Sequence, residues 1–160
     1  MGSFEKKRSD MIRKKNDVYV KSMELNDQIE AFDKKRTDVE EGISRIPSDL
    51  PEELQQQVDA AVENVRNDMN DQSEQLGKEA DDVKREADEA IDMAREIADD
   101  LQEKSKKMSA LSDIPLIGNF AESKGEQLAD QAEQMIDLSQ ETMEYQDRLA
   151  NQRNKLYNKR

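Results

Sequence analysis

The sequence predicts an all-α protein: an elongated antiparallel bundle of three long helices with coiled-coil-like packing. Three observations carry that prediction. Phe4, Met11, Val18, Leu25, Phe32, Val39 and Ile46 fall one heptad apart, and a sustained seven-residue repeat keeps one seam turned towards a partner helix. The chain is 39% charged, 34% hydrophobic and only 4% aromatic, with 5 Gly and 3 Pro in 160 residues, a profile of long helices with exposed flanks rather than of sheets. The prolines stand at two places, Pro47/Pro51 and Pro115, which divides the chain into three. High charge and a mean hydropathy of −1.10 also fit disorder, but a disordered tract has no reason to keep a helical period.

The first helix is predicted over residues 3–45. Four residues after each seam position come Arg8, Lys15, Ser22, Ile29, Arg36, Ile43 and Leu50, so its second core column is polar early and apolar late. Gly42 and the Ile46-Pro47-Ser48-Asp49-Leu50-Pro51 stretch end it, since each proline disfavours helix in the residue before it. Ser48 or Asp49 can cap the next helix, and Pro51-Glu52-Glu53 suits a first turn.

The second helix is predicted over residues 51–111. Leu54, Val65, Leu76 and Ala87, accompanied by Val58, Met69 and Ala80, follow an eleven-residue rhythm. Ala87, Ala94, Leu101 and Met108, accompanied by Ala90, Ile97 and Leu111, then return to sevens. The longer repeat relaxes the supercoil towards straight. Gly77 sits at the changeover and costs about 1 kcal/mol relative to alanine. A break there would make four helices; the unbroken charged flanks favour a continuous or kinked one.

The third helix is predicted over residues 119–157. Leu128, Met135, Thr142, Leu149 and Leu156 form one column. Ala129, Ile136, Met143, Ala150 and Tyr157 form another beside it, a stripe wide enough to touch two neighbours. At 1.5 Å per residue, the outer helices reach roughly 60–65 Å and the middle one roughly 90 Å. Short connections make neighbours antiparallel. Neither outer helix covers the middle one fully, so two-helix ends with half-exposed seams follow, and with them a motive for pairing with a second copy or another helical chain. Met11, Val18 and Leu25, on the stretch whose second column is polar, are the seam residues expected to take part.

Charge is unevenly placed within a net −13. Residues 1–22 carry seven Lys/Arg against three Asp/Glu, and residues 51–111 carry eight against eighteen. Arg153, Lys155, Lys159 and Arg160 form a basic tail. Basic ends on an acidic body suit packing of the termini on the middle, or docking to something anionic.

Much chemistry is excluded. Without His or Cys there is no Ser-His or Cys-His nucleophile, no structural zinc site and no disulfide. No Gly-rich phosphate loop or calcium-binding loop occurs. Acid pairs such as Glu79/Asp82 and Asp99/Glu103 read as a solvated face. An acidic chain poor in aromatics does not suit nucleic acid. The expectation is a non-enzymatic interaction protein that needs no cofactor. No apolar run reaches the roughly 20 residues of a membrane span, and no signal-peptide core is present. The chain is expected in the cytoplasm, or exported without a cleavable signal.

The one strongly apolar loop is Ser109-Ala-Leu-Ser-Asp-Ile-Pro-Leu-Ile-Gly-Asn-Phe120. Pro115 and Gly118 mark the reversal. Ile114, Leu116, Ile117 and Phe120 read either as a plug closing the bundle's end or as a tip that a partner or an anionic membrane surface grips. The plug is the preferred expectation, with Phe120→Ala then costing roughly 3–5 kcal/mol. Two long helices joined by a turn holding Leu116-Ile117-Gly118 resemble the helical hairpins of the WXG100 and LXG families, over residues 78–160. That resemblance implies a substrate, partner or chaperone of type VII secretion. It does not extend to the turn tryptophan or to the export signal, since Leu149 stands where an acid should follow Tyr145.

Overall fold

In the computed structural model, which describes residues 2–157, three helices follow one another in alternating direction: α1 (Ser3–Ser44), α2 (Glu52–Ser109) and α3 (Gly118–Asn154). Lys159 and Arg160 of the basic tail lie outside the described residues. Among those residues there is no strand, and α2 passes through Gly77 unbroken. The predicted ends hold to within a few residues. α2 stops at Ser109 because the chain tightens there into successive three-residue turns, Leu111 N donating to Met108 O and Ser112 N to Ser109 O. α3 stops at Asn154, short of Tyr157, where Arg36 Nη1 donates to Leu156 O at 2.9 Å, Arg36 Nη2 to Lys155 O, and Ser73 Oγ to Leu156 O at 3.2 Å. Local three-residue turns take up the carbonyls of Gln152, Arg153 and Asn154, and the neighbouring helices satisfy those of Lys155 and Leu156.

Cross-helix contacts set the alignment. Lys21 Nζ donates to Glu86 at 2.8 Å and Arg66 Nε to Glu40 at 3.2 Å, which makes α1 antiparallel to α2. Ser105 Oγ donates to Gly125 O at 2.7 Å and Arg153 Nη2 to Asp81 at 3.1 Å, which makes α3 antiparallel to α2. Lys15–Glu141 and Gln152–Asn26 share a separation of 126 residues, so α1 and α3 run parallel in register. With α3 ending at Ser73 and Arg36, and α1 beginning beside Leu101 and Leu128, only the middle of α2 has two neighbours. Each end is a two-helix section.

The core lies in that middle, in two clusters. One joins Val18, Leu25, Ile29 and Phe32 to Met69, Ala80, Val83, Ala87, Leu149 and Leu156. The other joins Met11 to Ala90, Ala94, Ala98, Leu101, Leu128, Ala132, Met135 and Leu138. Buried Ser22, Ser139 and Thr142 lie among them. Ser139 and Thr142 donate back to Ile136 O and Leu138 O, at 2.7 and 2.8 Å. Two members of the polar second column of α1 are matched across the bundle: Lys15 donates to Glu141 at 2.7 Å, and Arg36 caps α3 while stacking on Phe32.

Some expected columns move. Leu54 and Val65 are exposed and Leu111 is 38% exposed, because no third helix reaches either end of α2. On α3 the column of Leu128, Met135, Thr142, Leu149 and Leu156 is buried, but Ala129, Ala150 and Tyr157 are exposed. The second buried column is Gly125, Ala132 and Ser139, with Gly125 against Ser105, Met108 and Ser109 and Ala132 in the cluster of Ala90, Ala94 and Ala98. At Gly77 a Cβ would stand 2.9 Å from Tyr157 Oη, where the residues after α3 pass over α2.

Ile29 is wholly buried, so Ile29→Ala is expected to lower stability by about 2–5 kcal/mol, read as a shift of the urea midpoint at constant slope. Ser22 Oγ is buried and finds no hydrogen-bond partner among the described residues. Ser22→Ala, which removes a desolvated hydroxyl, is expected to raise that midpoint. Hydrogen bonding from Lys21 to Glu86 raises the Lys21 pKa above its ordinary 10.5. A pKa raised by folding stabilises fully below the unfolded value and loses that effect above it. The small deficit of Lys21→Met should therefore stay constant through neutral pH and shrink above about 10.5.

Candidate interaction site: the apolar turn

Between α2 and α3 the backbone is tightly held. Ile114 N donates to Leu111 O at 3.1 Å, Gly118 N to Ile114 O at 2.8 Å and Ala121 N to Ile117 O at 2.9 Å. Gly118 is required by space: a Cβ on it would collide with the backbone oxygen of Ser112. Further along, Gly125 and buried Ala121 let α3 close on α2, where a Cβ at Gly125 would already stand 3.2 Å from Ser109 Oγ.

That closeness corrects the expectation of a plug. The space between the helices under the turn is filled by Ala121, Gly125 and Met108, and α1 begins too far back to offer another wall. Ile114, Leu116, Ile117 and Phe120 therefore point outwards. Phe120 is 66% exposed, Ile114 and Ile117 are more than two-fifths exposed, and Leu116 is exposed over its whole side chain. Leu111, which its spacing assigns to the core, joins them. Leu116 also has φ +80°, a left-handed conformation costing an ordinary side chain roughly 1–2 kcal/mol. A large apolar side chain is thus held fully in solvent on strained backbone, at a position where glycine would relieve the strain.

The surroundings differ electrically from the rest. Residues 103–126 carry Lys104, Lys106, Lys107 and Lys124 against Glu103, Asp113, Glu122 and Glu126, a net charge of zero in a chain of −13. Lys104 and Lys107 are engaged along their own helix with Asp100 and Glu103, at 3.0 and 3.6 Å.

The seam residues Met11, Val18 and Leu25 are a second correction. They are 0%, 2% and 6% exposed, spent on the chain's own α2 and α3, and offer nothing to another chain. Of the predicted interaction residues the structure brings together Ile114, Leu116, Ile117, Gly118 and Phe120, with Gly118 shaping the turn and the other four forming its surface. No group of His, Cys, Asp and Glu able to hold a metal is found among the described residues, and none of their helices is long and apolar enough to cross a membrane.

No family model, curated protein or solved structure matches this chain.

The turn yields a test of its packing. Phe120→Ala and Leu116→Ser are expected to leave the thermal midpoint nearly unchanged, Leu116→Gly to raise it by relieving the left-handed backbone, and Gly118→Ala to lower it. A loss from Phe120→Ala approaching the roughly 3–5 kcal/mol of a core aromatic would show that the ring is packed after all.

Proposed function

We propose that this chain is a non-enzymatic interaction protein that grips a partner through the apolar turn at one end of a long helical rod. The observation carrying this reading is Leu116: a fully exposed leucine at φ +80°, within an outward-facing set completed by Ile114, Ile117 and Phe120. Contiguous exposed apolar side chains on a tightly hydrogen-bonded support are the pattern of a preformed binding surface. The occupant is an apolar cleft on a helical partner protein. A place among the substrates, partners or chaperones of type VII secretion is the setting we assign, supported by the α2–α3 hairpin with Leu116-Ile117-Gly118 at its bend.

A second reading, an anionic bilayer as occupant, is favoured by one observation. The acidic middle argues against a membrane role for a rod lying flat. Docked end-on, the turn meets the surface with its neutral, lysine-bearing end, and most of the acidic body stands beyond the screening length of about 8 Å.

Photo-crosslinking from position 120 in cells separates these occupants. A protein adduct of defined mass, abolished by Leu116→Ser in the same chain, is the expected result. Lipid adducts, together with flotation on vesicles of phosphatidylglycerol, would transfer the role to the bilayer. Absence of any adduct, with fold retained, removes the turn as a binding surface.

A further inference from the structure

At the end opposite the turn, α1 and α2 continue past the close of α3 with no third helix beside them. α3 stops where Leu156 O meets Ser73 and Arg36, yet the paired helices run on through Glu40–Arg66. Their shared seam is only half closed. Val39, Ile43, Val58 and Val62 are half-buried, Leu54 is 47% exposed and Val65 39%. Spacings of three and four residues put Leu54, Val58, Val62, Val65 and Met69 on one face of α2. At the Met69 end of that face a groove of about 640 Å³ opens between α1 and α2, lined mostly by polar residues: Val39 and Met69 together with Arg36, Glu40, Arg66 and Asn70. Leu54, Val58, Val62 and Val65 are not among its walls.

Charge identifies what suits this groove. Residues 38–71 carry ten Asp/Glu against Arg45 and Arg66, a net −8 within a chain of −13. The same end of a second copy, in a two-fold pairing, would bring −8 against −8. An anionic lipid surface would be repelled likewise. The bundle itself shows how a third helix is held on acidic α2: the last ten described residues of the chain, 148–157, contain Arg148, Arg153 and Lys155 and no acid. There Leu149 and Leu156 face inwards, while Arg153 reaches Asp81 at 3.1 Å and Gly77 O. A helix continuing that track meets the same chemistry with more acid around it.

We infer that the open α1–α2 end is a docking groove for a cationic amphipathic helix from a partner protein, lying along the line of α3 and completing the three-helix section. From Leu54 to Asn70 the seam is about 25 Å long, room for four to five helical turns. Apolar residues of the incoming helix spaced at three and four cover Leu54, Val58, Val62 and Val65. Its Lys and Arg flanks meet Asp59 and Glu63 on α2 and Glu41 on α1. The site stands apart from the apolar turn and does not depend on it.

The probe is a designed Leu/Lys peptide of about 18 residues, amphipathic at the helical period, titrated into the full chain by calorimetry. Its controls are a scrambled peptide of equal composition and a Leu/Glu counterpart. We expect one amphipathic peptide per chain, weakening with salt, and at least about tenfold tighter than the scrambled one, equivalent to about 1.4 kcal/mol. Leu54→Asn with Val65→Asn, both at exposed positions, should cost at least about tenfold while circular dichroism stays unchanged, and Leu116→Ser should cost nothing. Asp59→Asn with Glu63→Gln should flatten the salt dependence. Equal binding of the scrambled peptide, or indifference to the Leu54/Val65 pair, overturns the inference in favour of diffuse attraction to an acidic surface. Light scattering that finds a dimer, dissociated by that same pair, overturns it in favour of a second copy.

Discussion

Where α2 and α3 face each other, about every second buried side chain is small: Ala80, Ala87, Ala90, Ala94 and Ala98 on one helix, Ala121, Gly125, Ala132 and Ser139 on the other. Such residues bury little apolar surface individually, but they let two backbones come close, and dispersion between close-packed atoms accumulates along many turns. That close approach decides much else. It makes the α2–α3 pair the most extensive interface of the molecule. It also leaves α1 to supply the bulk, so that Met11, Val18, Leu25, Ile29 and Phe32 fill the valley between the pair. At the hairpin end the same closeness leaves no space to bury large side chains, and the apolar turn is turned outwards.

The bundle is anchored at its margins by a few polar contacts of unequal weight. Exposed ion pairs along single helices, such as Lys84–Asp88 and Arg85–Asp82, stabilise little, since solvent screens them and long side chains must be held still. Contacts crossing between helices do more to fix alignment. Lys15 with Glu141 and Gln152 with Asn26 O hold α1 and α3 in one register. Arg36 does the most, closing the carbonyl end of α3 while its guanidinium lies 5.3 Å from the Phe32 ring. A charged residue in a core column is therefore the stop for a neighbouring helix.

The sequence is legible wherever one helix carries its own period. The column from Met11 to Phe32 and the column from Leu128 to Leu156 both face the core, and the turns fall at the prolines. It is illegible wherever the answer depends on the reach of another element. Leu54, Val65 and Leu111 fit a core rhythm, but a rhythm does not reveal that the neighbouring helix has ended or not yet begun. The Gly125, Ala132 and Ser139 column escapes a search for apolar periods because small and polar residues carry little hydropathy, although they permit the closest contact. That Tyr157 passes over Gly77 is not legible because the two lie 80 residues apart in sequence. For the same reason the turn residues are recognisable as apolar and grouped, while their outward direction requires knowing where α1 starts.

Asp59, Glu63 and their neighbours make one extremity of the rod strongly acidic, while at the other extremity lysines cancel every acid. About 45 residues of continuous α2 separate Glu63 from Lys107, roughly 65 Å at the helical rise. The charge of α2 and its connections is thus graded along the rod, acidic around Glu63 and neutral around Lys107. A rod so graded does not meet a charged object at random. Within a screening length of about 8 Å the field gradient exerts a torque, turning the neutral extremity towards anionic surfaces and the acidic one towards cationic surfaces. Orientation then precedes contact, and the encounter rate rises because fewer collisions arrive the wrong way round.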